Sequence, residues 1–210
     1  MPMNMLYRNY LRVVASVDEQ VGRLLGSLER TGELDNTVIV YAGDNGHLFG
    51  EHGLYDKRNA YEESMRIPFF IRYPKLVRHT GRRDQMVLNI DLAPTLLDII
   101  GAEIPAFMQG RSMVPFLRNP SLEGRDAFLY EHFPVFPIPI PGITAVRTKD
   151  FKYINYQKGT WRDQLFDLRK DPRELLNIIG TKAGKEALPG LQKRLEQLKE
   201  ETRYRFFTHG

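Results

Sequence analysis

The sequence predicts an α/β portion followed by a smaller antiparallel sheet with a C-terminal helix. Three observations lead there. A long stretch with apolar residues every three or four positions stands directly before a short β-branched run. From about residue 120 the pattern changes to short β-rich segments separated by prolines and turn residues. The chain then closes on leucines spaced at helical intervals among alternating charges. The division predicted is residues 1–120 for the α/β portion and 121–210 for the smaller sheet and helix.

Each element follows from its local pattern. Residues 6–30 place Leu11, Val14, Val17, Val21, Leu24, Leu25 and Leu28 at helical spacing, which predicts a helix with one buried face. Thr31-Gly32 stops it, and residues 37–41 read as a strand covered on both faces. Helix, loop and buried strand together point to layered α/β architecture. Residues 67–74 give a second short strand bounded by prolines, with Pro68 at its beginning or on an edge. Residues 89–101 read as a complete helix with Asp91 as N-cap, Pro94 in the first turn and Gly101 past the end. Residues 127–130, 143–148 and 151–156 are strands, 161–168 holds a further one, and 188–204 is a helix laid on that sheet.

The composition bounds the function. With 42% hydrophobic residues the chain can bury a core, and 30 basic against 26 acidic side chains leave a net charge of +4. Lys and Arg are dispersed rather than gathered in a stripe, so nucleic acid is not an expected partner. The absence of cysteine excludes disulfides, a thiolate nucleophile and thiolate metal ligands. No apolar run is long enough to span a bilayer.

The chemistry concentrates in VIVYAGDNGHLFGEHGLYDK, residues 38–57. Ligands of open α/β sheets collect at the carboxyl ends of strands, where Asp44 and Asn45 fall. A carboxylate and an amide oxygen suit a hard divalent cation, and Gly43 and Gly46 allow a sharp turn and close backbone approach. Asp-Asn-Gly is also a strong turn sequence that needs no ligand. Lys57 reads as a surface charge unless the loop folds back to the strand end. His47 and His52 are ligands, proton carriers or substrate contacts in one reading, and hydrogen-bonded structural histidines in the other. Glu62 and Glu63 read as first-turn helix acids, and Tyr7 and Tyr10 as packing residues.

Residues 41–68, from Tyr41-Ala-Gly-Asp-Asn-Gly through Gly-Glu-His-Gly-Leu-Tyr-Asp-Lys57 to Arg-Ile-Pro68, resemble the second signature region of the formylglycine-dependent sulfatases. Other stretches resemble the same family in the same order: Tyr10–Gly22, Asp91-Leu-Ala-Pro-Thr-Leu-Leu-Asp98 with Gly110-Arg-Ser112, residues 145–154 and residues 164–177. The resemblance implies the C-terminal part of a sulfatase-like mixed or parallel sheet core flanked by helices, then the family's antiparallel C-terminal subdomain. It implies Asp44 and Asn45 as two ligands of a divalent cation, usually calcium, and Lys57 as a contact to the sulfate group. His132 and the loop to Pro141 fall in a region that often shapes the substrate pocket, and His47 lies within the signature loop. The implied substrate is a sulfate ester, including esters of sulfated sugars, and members of the family are often exported.

Departures from the family pattern carry weight. The Cys/Ser-x-Pro-x-Arg stretch that yields formylglycine is absent, and so is an Asp-Asp pair that would complete the metal site. The resemblance therefore implies a carboxyl-terminal part, beginning at or just before the last core helix, whose formylglycine belongs to an N-terminal part. Such a chain holds half a site and is expected to be inactive alone. A phosphonate or phosphate monoester hydrolase of the same superfamily is the alternative enzyme. A non-catalytic module for sulfated glycans is the alternative outside enzymes.

Overall fold

The computed structural model describes residues 3–135, 137–157 and 161–205. Helix α1 (Met3–Arg30) forms as its spacing predicts and ends on Gly32, whose φ of 75° is left-handed. Glu33 N–H returns to Leu28 O at 2.9 Å, closing the last turn. The expected buried face is not there: Leu11, Val14, Val17 and Leu24 are all exposed. An apolar stripe is buried only where a second surface meets it. Among the described residues Tyr7 and Tyr10 find one, each against the ring of Phe49.

Strand β1 (Ile39–Ala42) is followed by a minimal hairpin of β2 (Leu48–Phe49) and β3 (Tyr55–Asp56), then by the single-turn helix α2 (Glu62–Met65) and strand β4 (Phe69–Arg72). β1 pairs antiparallel with β4, Ile39 opposite Arg72 and Ala42 opposite Phe69. Residues 37–41 were expected to be covered on both faces. Instead Tyr41 and Phe70 are 39% and 67% exposed, because two strands cannot cover each other's faces.

A 3-10 turn at Asn89–Asp91 leads into α3 (Leu92–Ile99), and Gly101 takes the left-handed position expected of it at φ 72°. Asp91 stands at the N-cap position of α3 as expected, but its side chain makes no capping hydrogen bond to that helix. The turn begins three residues earlier and already holds Asp91 in helical geometry, with its carboxylate turned elsewhere. Its oxygens accept from Leu88 N and Arg111 N at 2.7 and 2.8 Å and pair with the nearly buried Arg125 guanidinium. Helix α4 (Val114–Arg118) buries Val114 and Leu117 beside them.

The four-stranded sheet is built from β5 (Ala127–His132), β6 (Gly142–Thr148), β7 (Phe151–Gln157) and β8 (Gln164–Asp167), antiparallel and in sequence order. Helix α5 (Lys182–Glu201) starts earlier than its leucines indicate, where Thr181 accepts from Gly184 N at 3.1 Å as N-cap. The strand period of two sorts the side chains between faces. Ala127, Val146, Tyr153 and Leu165 meet Leu191, Leu195 and Leu198 of α5 on one face. Ile143, Ala145, Ile154, Tyr156 and Phe166 meet Ala60 and Tyr61 on the other. Burying each leucine of α5 contributes roughly 1.5–3 kcal/mol. The second face seats Ala60 and Tyr61, which follow the loop that ends at Lys57.

Candidate active site

Local bonding turns the chain sharply after β1. Gly43 N–H donates to Pro68 O at 3.3 Å, Asn45 N–H to Asp44 Oδ1 at 2.8 Å, and Gly46 N–H to Ser64 O at 2.9 Å. Gly46 has to be glycine here: a Cβ would stand 2.0 Å from the carbonyl oxygen of Glu63. The chain does not return along β1, since β2 pairs with β3 instead. The loop folds back, and Lys57 Nζ donates to Asn45 Oδ1 at 2.9 Å. Asp44, Asn45 and Lys57, read from the sequence as one constellation, are brought to one strand end.

The histidines separate. His47 packs its ring on Phe49 and Tyr55, with centroids 4.4 and 5.1 Å away. His52 stacks flat on Tyr61, 3.8 Å between centroids and 8° between planes, and its Nε2 is 3.4 Å from Glu63 Oε2. His132 closes β5, half-buried, with its Nε2 buried and unbonded. Burial first, and the Arg58 charge second, hold its pKa below the ordinary 6.5. Arg58 in turn pairs with Asp56, so Asp56 and Arg58 flank Lys57 in the chain, and the Arg58 charge is felt at His132. The loop is tightly wound: Gly50, His52, Gly53, Asp56 and Arg58 all have positive φ. Three are not glycine, a conformation that persists only where neighbouring structure enforces it.

Sequence reading missed the cluster behind this loop. Glu62 and Glu63 open α2 as first-turn acids, and each also has a partner outside the helix. Lys152 Nζ is 2.6 Å from Glu174 Oε1 and 2.9 Å from Glu62 Oε1, and Arg147 Nε is 3.3 Å from Glu62 Oε1. Glu174 Oε2 accepts from Glu62 N at 2.7 Å. The side chains of Lys152 and Glu174 are fully buried. Burial penalises the Glu62 carboxylate, yet Lys152 and Arg147 outweigh it and lower its pKa. For Glu174 burial prevails over Lys152 and raises the pKa. The signal was the period of two: Lys152 shares a strand face with Ile154 and Tyr156, so its side chain points inward.

Two places offer oxygen ligands. Atoms of His52, Glu63 and Glu174 lie within 4.8 Å of one another, but the Lys152 ammonium already neutralises Glu174, which makes this an ion-pair cluster. At the strand end, Asp44 supplies an exposed carboxylate and Asn45 an amide oxygen that also accepts from Lys57. These donors fit a hard divalent cation as a partial set, and a full shell needs further ligands.

Comparison with known proteins identifies the family of the chain. Residues 50–201 match the family model described as N-sulphoglucosamine sulphohydrolase, C-terminal. The chain is 41% identical over 203 residues to an N-acetylglucosamine-6-O-sulfatase of Bacteroides thetaiotaomicron, covering 95% of this chain and 36% of that protein. It is 34% identical over 190 residues to an arylsulfatase of Clostridium perfringens, covering 89% and 38%. A protein solved in complex with its substrate D-glucosamine-2-N,6-O-disulfate superposes with a TM-score of 0.88 at 39% identity, covering 93% of this chain and 40% of that one. The phosphonate monoester hydrolase of Agrobacterium radiobacter gives 0.80 at 26% identity, covering 90% and 40%. The chain thus spans well under half the length of the relatives it matches. It belongs to the sulfatase family of the alkaline phosphatase superfamily and corresponds to the carboxyl-terminal part of its members.

Proposed function

We propose that this chain is the carboxyl-terminal portion of a sulfatase that hydrolyses a sulfate ester of an amino sugar. The observation that carries the reading is the return of Lys57 to the end of β1, where its ammonium meets Asn45 Oδ1 at 2.9 Å. An ammonium held there neutralises a sulfuryl oxygen as negative charge accumulates on the ester. Asp44 and Asn45 would hold a divalent cation, calcium by family likeness, which when bound supplies Lewis-acid stabilisation of the same oxygens. Arg58, next to the lysine in the chain, and His132, whose ring feels the Arg58 charge, are assigned as donors to the sugar hydroxyls. The amino-sugar assignment is supported by the 41% identical N-acetylglucosamine-6-O-sulfatase and by the glucosamine disulfate complex. In this reading the formylglycine nucleophile and the remaining metal ligands come from the N-terminal part of the protein, and residues 1–210 alone are inactive.

A phosphonate or phosphate monoester hydrolase is the second reading, favoured by the 0.80 superposition on the phosphonate monoester hydrolase. The deciding experiment assays the full-length protein on glucosamine 6-sulfate, an aryl sulfate and an aryl phosphonate monoester, with Lys57→Ala and Asp44→Ala alongside. Hydrolysis of the sulfates, lost in both variants, is expected. Preference for the phosphonate would overturn the sulfatase assignment.

A further inference from the structure

One short segment, residues 61–64, touches both halves of the candidate site. On one side Ser64 O accepts from Gly46 N at 2.9 Å, and the Glu63 carbonyl lies so close to Gly46 that no side chain fits between them. That contact sets the turn carrying Asp44 and Asn45. On the other side Tyr61 and Glu63 hold His52 between a stacked ring and a carboxylate, within the wound loop that delivers Lys57. The segment is fixed to the C-terminal sheet from below: Tyr61 OH donates to Gln164 Oε1 at 2.9 Å, Glu62 N donates to Glu174, and Glu62 pairs with Lys152. Tyr61 is also packed in the core of that sheet, and Leu54 of the loop rests against the same core.

We propose that His52 is a positioning residue: its stack on Tyr61 clamps the strained loop to the C-terminal sheet and thereby sets where the Lys57 ammonium stands. The inference rests on the sulfatase reading for the role of Lys57, and goes beyond it in giving the C-terminal sheet a part in the chemistry. Neither His52 nor the sheet residues behind it need touch the substrate. Five positive-φ residues between positions 50 and 58 leave the loop few conformations of low energy, so an external clamp selects among them. Removing the ring frees the loop, while the rest of the sheet keeps its own core on the α5 side.

The test compares His52→Ala, His52→Phe and the packing control Leu195→Ala in the full-length protein. His52→Ala is expected to lower kcat for sulfate ester by about 100-fold, the order expected from an ångström-scale misplacement. It should also weaken inhibition by inorganic sulfate. His52→Phe keeps the stack and is expected to recover most of the activity. Leu195→Ala is expected to lower the unfolding temperature and leave the activity of the folded protein unchanged. If His52→Ala behaves like Leu195→Ala, or His52→Phe restores nothing, the clamp is overturned. Amide exchange keeps the two ideas apart. An inactive wild type removes the sulfatase reading, and faster exchange at residues 54–58 in His52→Ala but not in Leu195→Ala still supports the clamp. Equal exchange in both variants overturns it.

Discussion

Gly46 donates its N–H to Ser64 O, and a Cβ on it would stand 2.0 Å from the Glu63 carbonyl oxygen, so both its bond and its lack of a side chain are used. Gly46→Ala is expected to cost about 1–3 kcal/mol in urea denaturation, the usual range for forcing atoms into a packed contact. An unchanged midpoint would mean that residues 62–66 give way freely. His132 provides a second measurement at this scale. Its folded pKa is below 6.5, so its contribution to stability is complete above 6.5 and is lost as pH falls through the window down to the folded value. The His132 ring proton is expected to titrate below 6.5 by NMR, and Arg58→Ala to move the midpoint partway back, since burial remains. A midpoint at or above 6.5 contradicts this. Asp44, Asn45 and Lys57 were legible in the sequence because they lie within fourteen residues of one contiguous motif. The influence of the Arg58 charge on His132 was not, since it crosses from residue 58 to residue 132 and depends on how β5 is placed.

Strand β7 shows what one inward-pointing charge does to an element. Lys152 lies fully buried against Glu62 and Glu174, so removing it leaves the buried Glu174 carboxylate without its cation, while Glu62 keeps Arg147. Lys152→Met is expected to cost about 3–5 kcal/mol, and the pairing of Lys152→Met with Glu174→Leu to cost less than Lys152→Met alone. Additive losses in chemical denaturation would show that the two side chains do not depend on each other. Helix α5 and the four strands were legible because leucine spacing and β-rich runs each match one period. Strand β1 formed where expected but without cover, because hydrophobic content reports what a segment wants to bury and not whether a partner is present. Lys152 was hidden for a related reason: in Phe151-Lys152-Tyr153 either neighbour supports a strand, and only the identity of the buried face tells which way the amine points.

At the scale of the whole molecule the apolar surface is uneven. The sheet and α5 enclose two cores, whereas α1 and the β1–β4 pair leave Leu11, Val14, Val17, Tyr41 and Phe70 open to water. Exposed apolar area drives association. Residues 1–210 expressed alone are expected to sediment as concentration-dependent oligomers, and co-expression with the N-terminal part of the protein to suppress this. A monomer at all concentrations would contradict the prediction. The same feature has a kinetic side. α1 presents Arg8, Arg12 and Arg23 on a helix whose described ring contacts are confined to Tyr7 and Tyr10, and tertiary packing supplies most of a helix's resistance to opening. Trypsin should therefore cut there first and leave a resistant fragment containing the sheet and α5. The rate of that first cut becomes a clock for assembly, slowing when a partner surface covers α1.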